Sequence, residues 1–154
     1  MTKKPAHTLS PPIIPLMGKT MKHIEAMLVS NMRAQGIDLT KNQVILMKWI
    51  SEGPRPQSSL ALITERDKGC LTRLIQSMEK KKLVERVISQ EDKREKWVKL
   101  TKTGEAAIGE AFPVFEAAFE LLLDGISAKD RRTALKVLNK ILENAAEEIK
   151  CKCT

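Results

Sequence analysis

Between residues 68 and 81 of this chain a cation, an amide and a hydroxyl recur at helical spacing. Gly69, Thr72, Arg73, Gln76 and Lys80 fall three and four residues apart and share one side of a helix, while Leu71, Leu74, Ile75 and Met78 form an apolar stripe on another. An arginine can fork two hydrogen bonds onto a guanine edge, a glutamine can donate and accept together against adenine, and a threonine offers a hydroxyl and a methyl. The same side chains also suit a plain solvated helix face, so their position within the fold has to decide between the two. Further along, Glu91-Asp92-Lys93-Arg94 mixes signs. A nonspecific phosphate clamp would not include two acids. Asp92 is placed to hold Arg94 in one direction by a charged hydrogen bond, the alternative being a surface turn with an incidental ion pair. Ser58 and Lys68 complete the candidate set as polar contacts, and Lys93 and Lys96 join it as phosphate contacts.

Charge supports a polyanionic partner. The 154 residues carry a formal net charge of +8. Residues 40–104 hold fifteen Lys and Arg against eight Asp and Glu, a net +7, so nearly all of the excess lies in one central block. A localised positive block suits nucleic acid, although an ordinary basic surface would look the same in composition. The hydrophobic share, 42%, is enough to fill a core in a chain of one domain.

Several helices and a hairpin must hold these groups. Met17, Met21, Ile24, Leu28 and Met32 give one face of a first helix over 16–33, ended by Gly36. Thr40 and Gln43 form a capping box for a second, well-buried helix with Val44, Ile45, Leu46, Met47, Trp49 and Ile50, stopped by Gly53, Pro54 and Pro56. A short third helix over 57–64 carries Leu60, Ala61 and Ile63, and Asp67 is a natural N-cap for the fourth, over 68–81. Two short helices around a tight turn read as a helix-turn-helix. The period then changes: 83–88 and 96–100 are rich in β-branched residues and bracket a polar tip, which reads as a β-hairpin. Helical spacing returns with Ala106, Ile108, Phe112, Phe115, Phe119 and Leu122. Pro113 is expected to kink or divide that helix, and Gly125 to close it. Ser127 and Asp130 cap a last helix carrying Leu135, Leu138, Ile141, Leu142 and Ile149. The expected fold is mainly α with a small β-hairpin wing.

The stretch from Leu60 to Gly104 resembles the MarR (multiple antibiotic resistance regulator) family of bacterial transcription factors. The matching pieces are Leu60-Ala61, Asp67-Lys68, Thr72-Arg73-Leu74, Leu83-Val84 with Arg86, the Asp92-x-Arg94 pair, and Leu100-Thr101 with Gly104, in order and at family spacing. The resemblance implies a winged helix-turn-helix lobe over about 40–104 and dimerisation helices over about 16–35 and 104–150, within one domain over 16–154. It further implies binding of double-stranded DNA as a homodimer, Arg94 entering the minor groove, and release by a small aromatic effector or a redox signal. The family usually has Gly where Lys82 stands, so either this lysine takes a left-handed conformation under some strain or the helix ends differently. The apolar residues Ile13, Ile14 and Leu16 near the start, and Leu135, Leu138, Ile141 and Leu142 near the end, exceed the needs of one small lobe and independently suggest a second copy.

Other candidates are weaker. His23, Met27, Met47 and Trp49 are candidate lining for an effector pocket, pliable methionines suiting varied ligands, though any one of them serves equally as core. Cys70 sits in the first turn of the fourth helix, where the dipole favours a thiolate, and is a candidate redox switch; a small buried space-filler is the plainer reading. With Cys151 and Cys153 it makes an odd set, which fits a reducing cytosol better than a disulfide framework, and the last two are expected on a loose tail. Two distant histidines give no metal constellation, and no catalytic grouping or phosphate-binding loop is present, so neither a cofactor nor an enzyme is expected. No apolar run is long enough to span a bilayer. Pro5, Pro11, Pro12 and Pro15 break up any apolar stretch behind Lys3 and Lys4, so residues 1–15 read as an extended arm and not a signal peptide. A rival reading is an architectural protein binding DNA of any sequence.

Overall fold

The computed structural model describes residues 13–88 and 95–152. The elements are α1 (Ile13–Ala34), α2 (Lys41–Ser51), β1 (Arg55–Pro56), α3 (Gln57–Ile63), α4 (Lys68–Lys80), β2 (Val84–Ile88), β3 (Lys96–Leu100), α5 (Lys102–Leu123) and α6 (Ala128–Lys152). The chain is mainly helical with a small antiparallel sheet, as its periodicities predict. Two compact units are distinguished, one through Ala118 and one from Phe119 onward.

The first unit is built on one core. Leu28 and Met32 of α1, Val44, Leu46, Met47 and Ile50 of α2, Leu60 of α3, and Leu71, Ile75 and Met78 of α4 are buried together with Val84, Val98 and Leu100 of the sheet and Ile108, Ala111, Val114 and Phe115 of α5. The α4 stripe read from the sequence is thus the face that fixes this helix to the domain, and it leaves the polar side outward. The sheet has the order β1-β3-β2. Val84 opposes Leu100 and Arg86 opposes Val98 in the hairpin, while Arg55 and Pro56 oppose Val98 and Trp97 on the other edge of β3. The sequence reading supplies only the hairpin. The two residues of β1 lie among helix-breaking prolines and carry no alternating pattern, and Pro56 is tolerated there because β1 is an edge strand.

Three further differences have simple causes. α1 begins at Ile13, ahead of the expected start, because Pro15 falls in its first turn, where a backbone N–H would have no helical partner. Pro113 does not divide α5, which runs continuously to Leu123; burial of Ala111, Val114 and Phe115 around the proline holds the helix together despite the lost hydrogen bond. α6 continues to Lys152, so Cys151 lies on a helix and not on a loose tail, while Cys153 falls outside the described residues. In the second unit Ser127 Oγ accepts from the Asp130 amide at 3.1 Å and caps α6 as expected, and Leu135, Leu138 and Leu142 are exposed along that helix.

Candidate nucleic-acid interface

α4 is fixed at both ends by its own sequence. Asp67, extended at its backbone, accepts the Cys70 amide at 2.8 Å as N-cap. That hydrogen bond is the largest cause of a lowered Asp67 pKa, with the Gly69 amide and the Arg73 charge acting in the same direction. At the other end the Leu83 amide donates to the Met78 carbonyl and the Lys82 amide to the Glu79 carbonyl, both at 2.9 Å, with Lys82 at φ 56°. This is a Schellman motif built on a lysine, so of the two endings open to the sequence the helix takes the left-handed one.

Neighbouring elements orient the helix. Gln43, the buried second half of the α2 capping box, accepts the Thr40 amide at 3.0 Å and reaches Ser77 Oγ on α4 at 3.5 Å. Arg66, in the turn between α3 and α4, donates to Asn42 of α2 at 2.6 Å. Lys81 donates to the Asp38 carboxylate at 2.8 Å, and Thr101 Oγ1 accepts the Gly104 amide at 3.0 Å while itself donating to the Lys82 carbonyl. A Cβ on Gly104 would lie 1.9 Å from the Leu83 carbonyl oxygen, so glycine is required for α5 to start against the end of α4. Arg86 of β2 donates to Glu79 of α4 at 2.5 Å, tying the sheet to the same helix.

The polar face of α4 looks outward as its spacing predicts. Lys68, Gly69, Arg73 and Gln76 are exposed and Thr72 is half-buried. Gln57 of α3 donates to Thr72 Oγ1 at 2.8 Å, which leaves the threonine hydroxyl proton free to point elsewhere. Among the described residues Arg73 hydrogen-bonds only its own helix, at the Gly69 carbonyl, 3.4 Å away. An open cleft of about 420 Å³ lies between α3, α4 and the sheet; Ser58, Lys68, Thr72, Gln76 and Lys96 of the candidate set line it, with Gln57, Arg86 and Glu95 added. Sequence reasoning missed Gln57 and Glu95, which act through other side chains: Glu95 accepts from Ser58 Oγ at 3.3 Å and from Trp97 Nε1 at 3.0 Å. Asp92, Lys93 and Arg94 lie outside the described residues.

The remaining candidates separate. Cys70 is exposed, which overturns the buried space-filler. His23 is exposed, and its ring lies 2.8 Å from the Lys19 carbonyl. Met27 is half-buried, Met47 is fully buried, and Trp49 lies beneath the Arg55 guanidinium, 5.8 Å from the ring centroid. These four line no common cavity among those found in the described residues, because the continuous apolar run of α2 sends Met47 into the core and leaves Trp49 at the edge.

A short helix, a tight turn and a capped second helix with an outward polar face, backed by a three-stranded sheet, define a winged helix-turn-helix DNA-binding module. The comparisons then give the family. The family model described as "MarR family" matches residues 37–95. The transcriptional regulator HosA of Escherichia coli is 30% identical over 106 residues, covering 68% of this chain and 78% of that protein. A MarR mutant from E. coli, solved in complex with operator DNA, superposes with a TM-score of 0.72 at 26% identity over 84% of this chain and 95% of that one. BpsR of Bordetella bronchiseptica shares the fold, with a TM-score of 0.76 at 20% identity over 90% of this chain and 97% of that one. This chain belongs to the MarR family of DNA-binding transcriptional regulators. Among the described residues no helix is long and apolar enough to cross a membrane.

Proposed function

We propose that the chain is a repressor that binds a pseudo-palindromic operator as a homodimer, with α4 in the major groove and Arg94 in the adjacent minor groove. The observation that carries the reading is the outward face of α4: Thr72, Arg73 and Gln76 stand beside one another, the first oriented by Gln57, on a helix held at both ends. Dimerisation is supported by exposed apolar side chains in each unit, Ile13, Ile14 and Leu16 in one and Leu135, Leu138 and Leu142 in the other. Selection from a random duplex pool tests the reading. Enrichment of two inverted half-sites about one helical turn apart is the expected result, and a pool that stays random gives the case to an architectural protein.

Release belongs to the same reading. A small aromatic acid would free the DNA by favouring a spacing of the reading helices unlike the bound one. If a broad screen of such acids moves neither melting temperature nor DNA affinity, that part is discarded. Cys70 offers a second route, since its exposed thiol lies in the first turn of α4 and oxidation would add bulk or charge at the reading face. Full DNA affinity in protein whose Cys70 is shown to be oxidised rules the switch out.

A further inference from the structure

Glu95 stands at the root of the wing, one residue before β3, and its carboxylate is engaged on both oxygens. One accepts the Ser58 hydroxyl of α3 and the other the Trp97 indole N–H of β3. The cleft that it lines also presents Lys68, Arg86 and Lys96, so a single acid is set among three cations. Arg86 is directed away from it, toward Glu79. A hydroxyl and an indole N–H are donors of the kind that DNA phosphates accept, and the cleft opens beside the exposed face of α4.

From this arrangement we infer that Glu95 is an internal competitor for DNA phosphate that lowers affinity for DNA of any sequence. Its carboxylate takes, in the free protein, two donors that a phosphate would otherwise receive, and its charge faces the polyanion. Among the described residues its hydrogen bonds go to Ser58 and Trp97 and not to the base-reading side chains on α4, so the penalty falls on backbone attraction and widens the ratio between operator and random DNA. The inference rests on the reading of α4 and the wing as the DNA face, but needs no operator to test.

Glu95→Gln keeps the size of the side chain, removes the charge and leaves one accepting oxygen where the carboxylate has two. Binding to a random-sequence duplex is measured at several salt concentrations, with thermal melts to check folding and Glu143→Gln, on α6, as a charge-matched control. The expected result is an affinity for random DNA raised about three- to tenfold, and a slope of log K against log salt steeper by up to about one unit. The control is expected to change affinity by less than about twofold, its charge being exposed and already paired with Lys140. Glu95→Ala follows the same direction, and adding Ser58→Ala to Glu95→Gln takes part of the gain away. A folded Glu95→Gln protein that binds random DNA no more tightly than the control overturns the inference. If Glu95→Gln tightens binding while the wild type selects no sequence, the regulator reading fails and this inference stands; an enriched operator with no effect of Glu95→Gln gives the reverse.

Discussion

Arg73 meets its own helix only at the Gly69 carbonyl, through a long hydrogen bond, and is otherwise turned to solvent from a helix whose far side is locked in the core. Removing it should therefore leave the fold intact. On the best operator Arg73→Ala is expected to weaken binding by about 1–3 kcal/mol and to relax preference at one position per half-site, read from isotherms on matched and substituted DNA. Wild-type affinity and preference in a folded Arg73→Ala protein would remove this arginine from base reading. Lys96→Ala should instead weaken binding to every sequence about equally. Asp67 gives a prediction of a different kind. Its amide partners favour the ionised carboxyl, so its folded pKa lies below the ordinary 3.8. The cap therefore stabilises the protein above the ordinary carboxylate pKa and is lost as pH falls through and below it. Asp67→Asn, which caps without charge, should flatten this part of the acid-side fall in melting temperature, whereas Asp67→Ala should lower melting temperature at neutral pH as well. An unchanged acid profile in Asp67→Asn would count against the assignment.

At the scale of elements, the junction of α4, β2 and α5 is where backbone geometry is most constrained. Lys82 holds a left-handed conformation in a Schellman motif, and Gly104 packs against the carbonyl one residue further on. Lys82→Gly is expected to stabilise by about 0.5–1 kcal/mol, since glycine takes this conformation without the Cβ penalty and loses part of the gain to unfolded-state entropy. Gly104→Ala is expected to destabilise by about 2–4 kcal/mol, because α5 would have to back away from Leu83. Urea midpoints decide both; a neutral Gly104→Ala would mean that the helix start moves freely. The helices, their caps and the hairpin were legible because each rests on local pattern: Thr40 and Gln43, Asp67, the α4 stripe, the return to period two at Val84. What escaped the sequence is what tertiary pairing alone creates. β1 has no pattern of its own, Pro113 reads as a break until buried neighbours hold α5 together, and Glu95 reads as one more charge in a charged tip until Ser58 and Trp97 are seen on its two oxygens. For the candidate effector residues, likewise, helical spacing gives a face but not whether that face meets a cavity or the core.

For the molecule as a whole, the concentration of positive charge in residues 40–104 makes binding a salt-sensitive event. Neutralising several phosphates in each half-site should give a log–log salt slope of several units, and a nearly flat slope would contradict a groove-bound module. Sedimentation at micromolar concentration should find a dimer; a monomer would leave the apolar residues of α1 and α6 unexplained and the operator symmetry without a source. The short β1–β3 pairing has one more effect, on local opening. Arg55 and Pro56 join Val98 and Trp97 across a long span of chain, and everything between them, α3 and α4 included, is a loop closed by that ladder. Such a loop cannot loosen piecemeal while its ends stay paired. Amide protons in the buried turns of α3 and α4 should then exchange with solvent at the same free energy of opening as those of β3, as one cooperative unit. Replacing Arg55 by Pro, which strips a donor from the ladder's edge, should release all three segments together and leave the amides of α6 exchanging as before.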